Sequence, residues 1–470
     1  MRSGARQSMM VCGLLLALSS ASCGPVDHVA TDGADQVAVV DAGAADATVA
    51  DAGADAGADD VGRGSHVMGF TGAGSLDRRD PQAMAAFLAS MGYADDLAFF
   101  SDVVDRMDAL SGQLARAEFF YIGNGQFVGE QVLARKMIDR GFELYGDINP
   151  IPPFEGLDGS FDAALTTLVG SYPEIKEWQI GNEPDLLWTD PSRFPAFFVR
   201  AQPIVRAACP TCRVVLAGIS NQYNSSDQSF QRYDSYLAEI AAADLSGRPF
   251  DVFDFHYYKQ APAAAEISAA VDSYRGLLVN HGLAAGVSFW CTETGLYTGD
   301  PVGPDFGPRT ETEQARDLVR LVAWMRTRQV ERIHFWTVVD SSQSAGAAGF
   351  FGQMGLVYNG LGDEPAGVEK KAYATFGVLA RALVGTTTAQ RVAPGVYRFD
   401  RVGSPVFVVW DEDSSGVVAL EGFPGDRAQV EDLVSNDAGD LAKTVVEVIA
   451  GALTLPVGEL PQLVTSALAH

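Results

Sequence analysis

The sequence predicts a (β/α)8 TIM barrel followed by a small C-terminal β-sandwich, and three observations carry the prediction. From residue 65 onward, short apolar runs rich in β-branched and aromatic residues alternate with amphipathic segments, the rhythm of βα units around a parallel sheet. Eight such runs can be laid out, each followed by a helical candidate, and eight is the number that closes a barrel. After Ala382 the helical segments stop. Short alternating strands with turn residues replace them, as in Val396-Tyr397-Arg398-Phe399 and Val406-Phe407-Val408-Val409-Trp410, a pattern of strands without helices that suits a small sandwich packed on the barrel.

In chain order the strand candidates are Val67 to Phe70, Gln113 to Tyr121, Phe142 to Ile148, Ile175 to Ile180, Arg213 to Gly218, Val252 to Tyr257, Val287 to Thr292 and Arg332 to Val338. Each is short, apolar and bounded by polar or turn residues. The helical candidates between and after them lie at roughly 82–111, 128–140, 160–171, 192–208, 229–243, 263–281, 310–328 and 369–383, where apolar residues recur at helical spacing. The chain therefore divides into an N-terminal segment 1–23, a tether 24–64, a barrel 65–385 and a sandwich 386–470.

The N-terminal segment carries Arg2 and Arg6, an apolar stretch from Met9 to Leu18, and small residues Ser19-Ser20-Ala21-Ser22 before Cys23. That is the layout of a secretory signal peptide. A Cys directly after small residues also resembles a bacterial lipoprotein cleavage box with Cys23 as the lipidated first residue; Ser20 stands where such boxes usually carry Leu, so cleavage after Ser22 stays open. Residues 24–64 are Ala, Asp, Gly and Val in loose repeats with nine Asp and one Arg. A stretch with so little apolar bulk cannot offset its ordering entropy, and it reads as a disordered tether. The expectation is an exported protein, either an outer-membrane-anchored lipoprotein or extracellular, touching a membrane only through the lipid on Cys23.

The 470-residue chain holds 33 Lys+Arg against 60 Asp+Glu, a formal charge of −27. That balance excludes a dedicated nucleic-acid binder. No apolar run beyond the N-terminus reaches the ~18 residues that span a bilayer as a helix. The five Cys, at 12, 23, 209, 212 and 291, are too few for a disulfide scaffold and too scattered for a four-ligand zinc site. Cys209-Pro210-Thr211-Cys212 reads as a local disulfide in an exported protein, or else as a redox pair without a surrounding thioredoxin-like unit. No His pair has zincin spacing and no Gly-rich phosphate loop occurs, so neither metal nor nucleotide cofactor is expected.

Catalytic groups of such barrels sit at the C-terminal ends of strands. Two acids stand there, Glu183 in Gln179-Ile180-Gly181-Asn182-Glu183-Pro184 after the fourth strand and Glu293 in Trp290-Cys291-Thr292-Glu293-Thr294-Gly295 after the seventh. Two carboxyl groups with separate duties are what glycosidic bond cleavage requires, one protonating the leaving oxygen and the other attacking or activating water. Strand alternation would turn Cys291 to the same face as Glu293, beside the site.

With these motifs the chain resembles clan A of the glycoside hydrolases, a retaining group of barrel enzymes, over about residues 67 to 383; families 39, 5 and 30 are the nearest in pattern. The resemblance implies Glu183 as general acid/base, Glu293 as nucleophile and Asn182 as the partner of the sugar 2-hydroxyl. It further implies that Arg116, in Leu114-Ala115-Arg116-Ala117-Glu118, keeps the nucleophile ionised, and that Trp336, in Phe335-Trp336-Thr337, is an aromatic platform beneath the sugar. His256-Tyr257-Tyr258, ending strand six, would line the site with one hydroxyl reaching Glu293. The expected activity is hydrolysis of a β-linked glycan or glycoside by double displacement without a cofactor. The alternatives are a non-catalytic carbohydrate-binding protein on the same barrel and a transglycosylase.

Overall fold

A computed structural model describes residues 66–71, 81–151, 157–220, 228–259, 261–300, 307–341, 349–362, 364–412, 414, 416–436 and 439–467. The signal segment, Cys23 and the tether lie outside these residues. The first half of the fold runs β1 (Met68–Phe70), α1 (Pro81–Ser90), α2 (Asp96–Ala109), β2 (Leu114–Tyr121), β3 (Phe127–Gly129), α3 (Gln131–Asp139), β4 (Glu143–Pro150), α4 (Phe161–Ser171), β5 (Glu177–Ile180), α5 (Pro184–Leu187) and α6 (Phe194–Ala208). It continues with β6 (Arg213–Leu216), α7 (Gln228–Ala242), β7 (Val252–Tyr258), α8 (Ala264–Asn280), β8 (Ser288–Gly295), α9 (Glu311–Thr327), β9 (Val330–Phe335), α10 (Gly349–Gly352) and α11 (Lys371–Leu383).

Strands β1, β2, β4, β5, β6, β7, β8 and β9 pair in parallel with their neighbours in that order, and β1 bonds both β9 and β2, which closes the barrel. The short β3 folds back antiparallel on the C-terminal end of β2. Along β2, Ala115, Ala117, Phe119 and Tyr121 join the main apolar core between strands and helices, so alternation turns Leu114, Arg116, Glu118 and Phe120 into the lumen. The same parity sends Tyr145, Val215, Val252 and Trp290 inward, where they form a separate buried apolar cluster. Further along the strands the lumen turns polar: Arg116, Asp147, Gln179, Asp254, Thr292 and His334 are all buried. Among the described residues the interior is thus filled, and its polar groups gather toward the C-terminal mouth.

Two expected elements differ. The single helix at roughly 82–111 is two helices, because the chain turns at Gly92, whose φ of 80° is left-handed, and restarts at Asp95, whose side chain caps Ala98. The helix at roughly 128–140 starts three residues late because Phe127–Gly129 pairs with β2 instead. Cys209 and Cys212 are disulfide-bonded in the turn between α6 and β6.

The C-terminal strands are β10 (Thr386–Ala393), β11 (Val396–Arg401), β12 (Val406–Val409), β13 (Val417–Glu421), β14 (Arg427–Asp432), β15 (Lys443–Glu447), β16 (Ala452–Pro456) and β17 (Gln462–Ser466). Six form an antiparallel sheet in the order β10-β11-β12-β17-β14-β15, and β13 and β16 pair as a second layer. The larger sheet is apolar on both faces. Tyr397, Phe399, Val406, Val408 and Trp410 belong to the barrel's core cluster, whereas Val396, Phe407, Val409, Val430 and Val464 pack with Val418, Leu420, Leu453 and Leu455 of the second layer. Period-two alternation lets one strand feed both contacts.

The seam with the barrel is built on α9. Trp324 donates its indole N–H to the Tyr397 hydroxyl at 2.9 Å, and its ring lies edge-on to Trp410 with centroids 6.2 Å apart. Trp410 in turn stacks on Tyr397 at 4.4 Å. Arg326 bonds the Thr386 carbonyl at 3.2 Å, and Thr375 of α11 bonds the Leu433 carbonyl at 2.5 Å. Because Trp410 is buried at this seam, Trp410→Ala is expected to cost about 3–5 kcal/mol of unfolding free energy. Urea denaturation monitored by circular dichroism checks this, and a loss below about 1 kcal/mol would show that the two parts are not energetically joined there.

Candidate active site

The chain leaves β5 through Gly181, whose φ is 85° and whose missing Cβ would lie 2.9 Å from the Phe194 ring. Asn182 and Glu183 follow, and Pro184 opens the short helix α5. Glu183 itself sits at φ 40°, ψ 51°, a left-handed conformation that is costly for a residue with a Cβ. Two contacts hold it there. The Glu183 carbonyl accepts from Leu186 N–H at 2.9 Å and Leu187 N–H at 2.7 Å, and the buried Asp185 carboxylate accepts from the Ser220 hydroxyl at 2.5 Å after β6.

Glu293 reaches the mouth through a β-bulge. The register of β8 slips against β7 between Phe255 and His256, and against β9 between Cys291 and Thr294, so an extra residue is accommodated and both Thr292 and Glu293 face inward. Cys291 consequently does not share a face with Glu293. It is buried in the main core between strands and helices, which corrects the expectation that it packs beside the site.

The two acids meet at one imidazole. His256 Nδ1 is 2.6 Å from Glu183 Oε1 and 3.6 Å from Glu293 Oε2. Those two oxygens can therefore stand no farther apart than the two lengths together, about 6 Å, short of the roughly 6.5–9.5 Å that leaves room for water between two carboxyl groups. The other side of the ring faces Thr292 Oγ1 at 3.4 Å and Asp254 Oδ2 at 3.8 Å, and Thr292 donates to that same Asp254 oxygen at 2.5 Å. Gly218 makes room for this: a Cβ there would lie 2.4 Å from His256 Nε2 and 2.6 Å from Asp254 Oδ2.

Glu293 has two further partners. The Tyr258 hydroxyl donates to Oε1 at 2.7 Å, and Arg116 Nη1 approaches Oε2 at 3.4 Å. The same Nη1 donates to Asn182 Oδ1 at 3.2 Å, and Arg116 Nη2 donates to Glu118 Oε1 at 2.6 Å. Gln179 Nε2 also reaches Asn182 Oδ1, at 3.4 Å. With its oxygen taken by two donors, Asn182 is left with its amide N–H groups for the mouth.

Burial pushes the Glu183 carboxyl above its ordinary value, with the His256 charge and hydrogen bond working against burial and the nearby Glu293 reinforcing it. Burial alone would lower His256, yet the Glu293 and Glu183 carboxylates, the hydrogen bond to Glu183 and the charge of Asp254 outweigh it and lift the imidazole to about 9. Glu183 and His256 are linked by this hydrogen bond, and the proton in it belongs to the pair and not to either residue alone. Burial holds the Tyr258 hydroxyl far above 10, so it remains a donor to Glu293. Asp147, deep in the lumen, is raised to about 8 by burial despite Arg116, and Asp254 to about 6.

Of the residues singled out in the sequence, Glu183, Glu293, Asn182, Arg116, His256 and Tyr258 are joined by hydrogen bonds and the His256–Glu293 ion pair into one network. Trp336 is half-buried and packs with Tyr258, Tyr297, Met354 and Phe351 as an aromatic wall on the β8–β9 side. Tyr257 is the exception. Parity sends it to the main apolar core, so it is not a substrate-lining residue, while His256 and Tyr258 on either side face inward. Sequence reasoning missed Gly218, Asp254, Thr292, Asp185 and Ser220. Asp254 lay within reach of the parity rule, two residues before His256; the others are defined only by neighbours on different strands. Among the described residues no cluster of three or more His, Cys, Asp or Glu side chains is arranged to hold a metal ion.

The shared proton is open to direct observation. His256 is expected to titrate near pH 9 by NMR of its ring protons, and Glu183→Gln, which removes a carboxylate that stabilises the imidazolium, should lower that midpoint toward the ordinary value near 6.5. An unchanged midpoint would mean that the two side chains are not paired in solution.

No protein-family model matches the chain, and no curated protein matches it by sequence. Solved structures do resemble it. A family 39 glycoside hydrolase from Bacteroides cellulosilyticus WH2 superposes with a TM-score of 0.57 at 15% identity, over 85% of this chain and 80% of that one. A glucosidase from Croceicoccus marinus gives 0.59 at 11% identity, over 86% and 96%. A family 51 arabinofuranosidase from Xanthomonas axonopodis pv. citri gives 0.51 at 11%, over 86% and 97%. These neighbours are clan A glycoside hydrolases, and at such identities what the chain shares with them is the fold: a closed eight-stranded parallel barrel with a C-terminal β-sandwich.

Proposed function

We propose that the protein is an exported retaining glycoside hydrolase that cleaves a β-linked glycan or glycoside by double displacement. The observation that carries this reading is the single imidazole nitrogen lying 2.6 Å from Glu183 and 3.6 Å from Glu293. It keeps the two acids too close for an interposed water and close enough for direct attack by one of them on the anomeric carbon. The fold shared with glycoside hydrolases supports the reaction class; the division of labour rests on the two environments.

Glu293 is the nucleophile. The Arg116 guanidinium and the Tyr258 hydroxyl both stabilise its anionic form and aim its oxygens. Glu183 is the acid/base, since burial raises its carboxyl and the proton it shares with His256 is available to a leaving group. In the first step a Glu293 oxygen bonds to the anomeric carbon as the glycosidic C–O bond breaks, and the departing oxygen takes the proton from Glu183. In the second, Glu183 removes a proton from water, the water oxygen bonds to the anomeric carbon, and the ester to Glu293 breaks. Asn182, its oxygen anchored by Arg116 and Gln179, donates to the sugar 2-hydroxyl as positive charge develops on the ring. Trp336 and its aromatic neighbours offer an apolar face for the ring to stack on.

The roles separate in kinetics on aryl β-glycosides. Glu293→Gln should lower kcat by at least about a thousandfold whatever the leaving group. Glu183→Gln should lower kcat/KM about a hundredfold or more for a poor leaving group such as phenol and far less for dinitrophenol, which departs without help from an acid. Near-wild-type rates of either variant on the phenyl glycoside would end the reading. The alkaline limb of kcat/KM should fall near pH 9, where the shared proton is lost; His256→Asn should shift that limb, because the charge that opposes Glu183 protonation is gone.

A further inference from the structure

The mouth holds a carboxylate that neither step uses. Glu118 follows Arg116 by two residues on β2 and so faces the same lumen. Its Oε1 is bonded to Arg116 Nη2 at 2.6 Å, while no described group bonds its Oε2. With a side chain 26% exposed, against 11% for Glu293 and 2% for Arg116, it is the most open member of the Arg116 network. Its backbone is clamped from both sides. The Glu118 carbonyl accepts from Glu130 N–H at 3.0 Å, its own N–H donates to Glu130 Oε2 at 3.3 Å, and Gly129 leaves a gap where a Cβ would lie 2.3 Å from that carbonyl. A charged side chain on a rigid strand end, with one oxygen pinned and the other open, has the build of a recognition group.

We propose that Glu118 is a specificity-determining residue of the subsite beside Glu293, accepting hydrogen bonds from the hydroxyls of a neutral sugar and rejecting sugars that carry a carboxylate. This rests on the glycosidase reading above. One guanidinium bridges Glu293 and Glu118, so a sugar whose anomeric carbon meets Glu293 brings its more distant ring positions to Glu118. A hydroxyl there donates to a charged acceptor, among the stronger neutral-to-ion hydrogen bonds. A uronic acid would set its own anion against Glu118, and the Arg116 charge that could relieve it is already shared between the Glu293 and Glu118 carboxylates.

The test compares kcat/KM for nitrophenyl β-glucoside, β-xyloside and β-glucuronide in the wild type, Glu118→Gln and Glu118→Ser, with melting temperatures as the folding control. Wild type should favour a neutral glycoside over the glucuronide by roughly a hundredfold or more. Both variants should compress that ratio by about tenfold or more, with the neutral rate falling and the glucuronide rate holding or rising. A role confined to bracing Arg116 would lower all substrates together and shift the acid limb of the pH profile. An unchanged ratio in either folded variant, or a wild type that prefers the glucuronide, overturns the assignment while leaving the hydrolase reading intact. A wild type that cleaves no glycoside overturns both.

Discussion

A guanidinium sealed from water has to be surrounded by acceptors, and the mouth of this barrel is arranged around that requirement. Arg116 is buried and stays charged; Glu118, Tyr145, Glu293 and Asp147 favour its charge against the penalty of burial. Its two terminal nitrogens reach β5 through Asn182, β8 through Glu293 and back along β2 to Glu118. Removing it would leave two acids and an amide facing one another without compensation, which is the costly way to break a buried ionic network. The same geometry aims the Glu293 carboxyl and gives Asn182 its orientation, so one side chain sets the arrangement on which the rest of the site builds.

On the opposite side His256 performs the complementary task. It places a positive charge between two carboxylates and leans on Asp254 and Thr292 beneath. The site therefore alternates acidic and basic side chains across the mouth, from Glu118 through Arg116, Glu293 and His256 to Glu183. An alternation of this kind lets adjacent acids differ in protonation without either being displaced, since each carboxylate is compensated from a different direction.

Much of this was legible in the sequence because strand ends are legible. Apolar runs locate the strands, the residues after them locate the mouth, and Glu183, Asn182 and Glu293 follow directly. Parity along a single strand separates Tyr258 from Tyr257 once the strand boundary is known. What could not be read depends on two strands at once. The bulge that turns both Thr292 and Glu293 inward exists only in the register of β8 against β7 and β9, and Gly218 acquires meaning only from an imidazole on a different strand. The division of the first long helix was marked by Gly92 and Asp95, which local turn and capping chemistry identifies. The two-faced sheet was visible as alternation in Val406 to Trp410, although alternation alone does not say that both faces are covered.

The backbone of Glu183 carries a consequence for how this site tolerates change. An L-residue at φ 40° raises the energy of the native chain by about 1–2 kcal/mol, and glycine would relieve that tension at once. Under the acid/base role proposed for Glu183, selection for robustness and selection for turnover pull this codon in opposite directions. A descendant released from that role would be expected to drift there first, gaining thermal resilience as it falls silent.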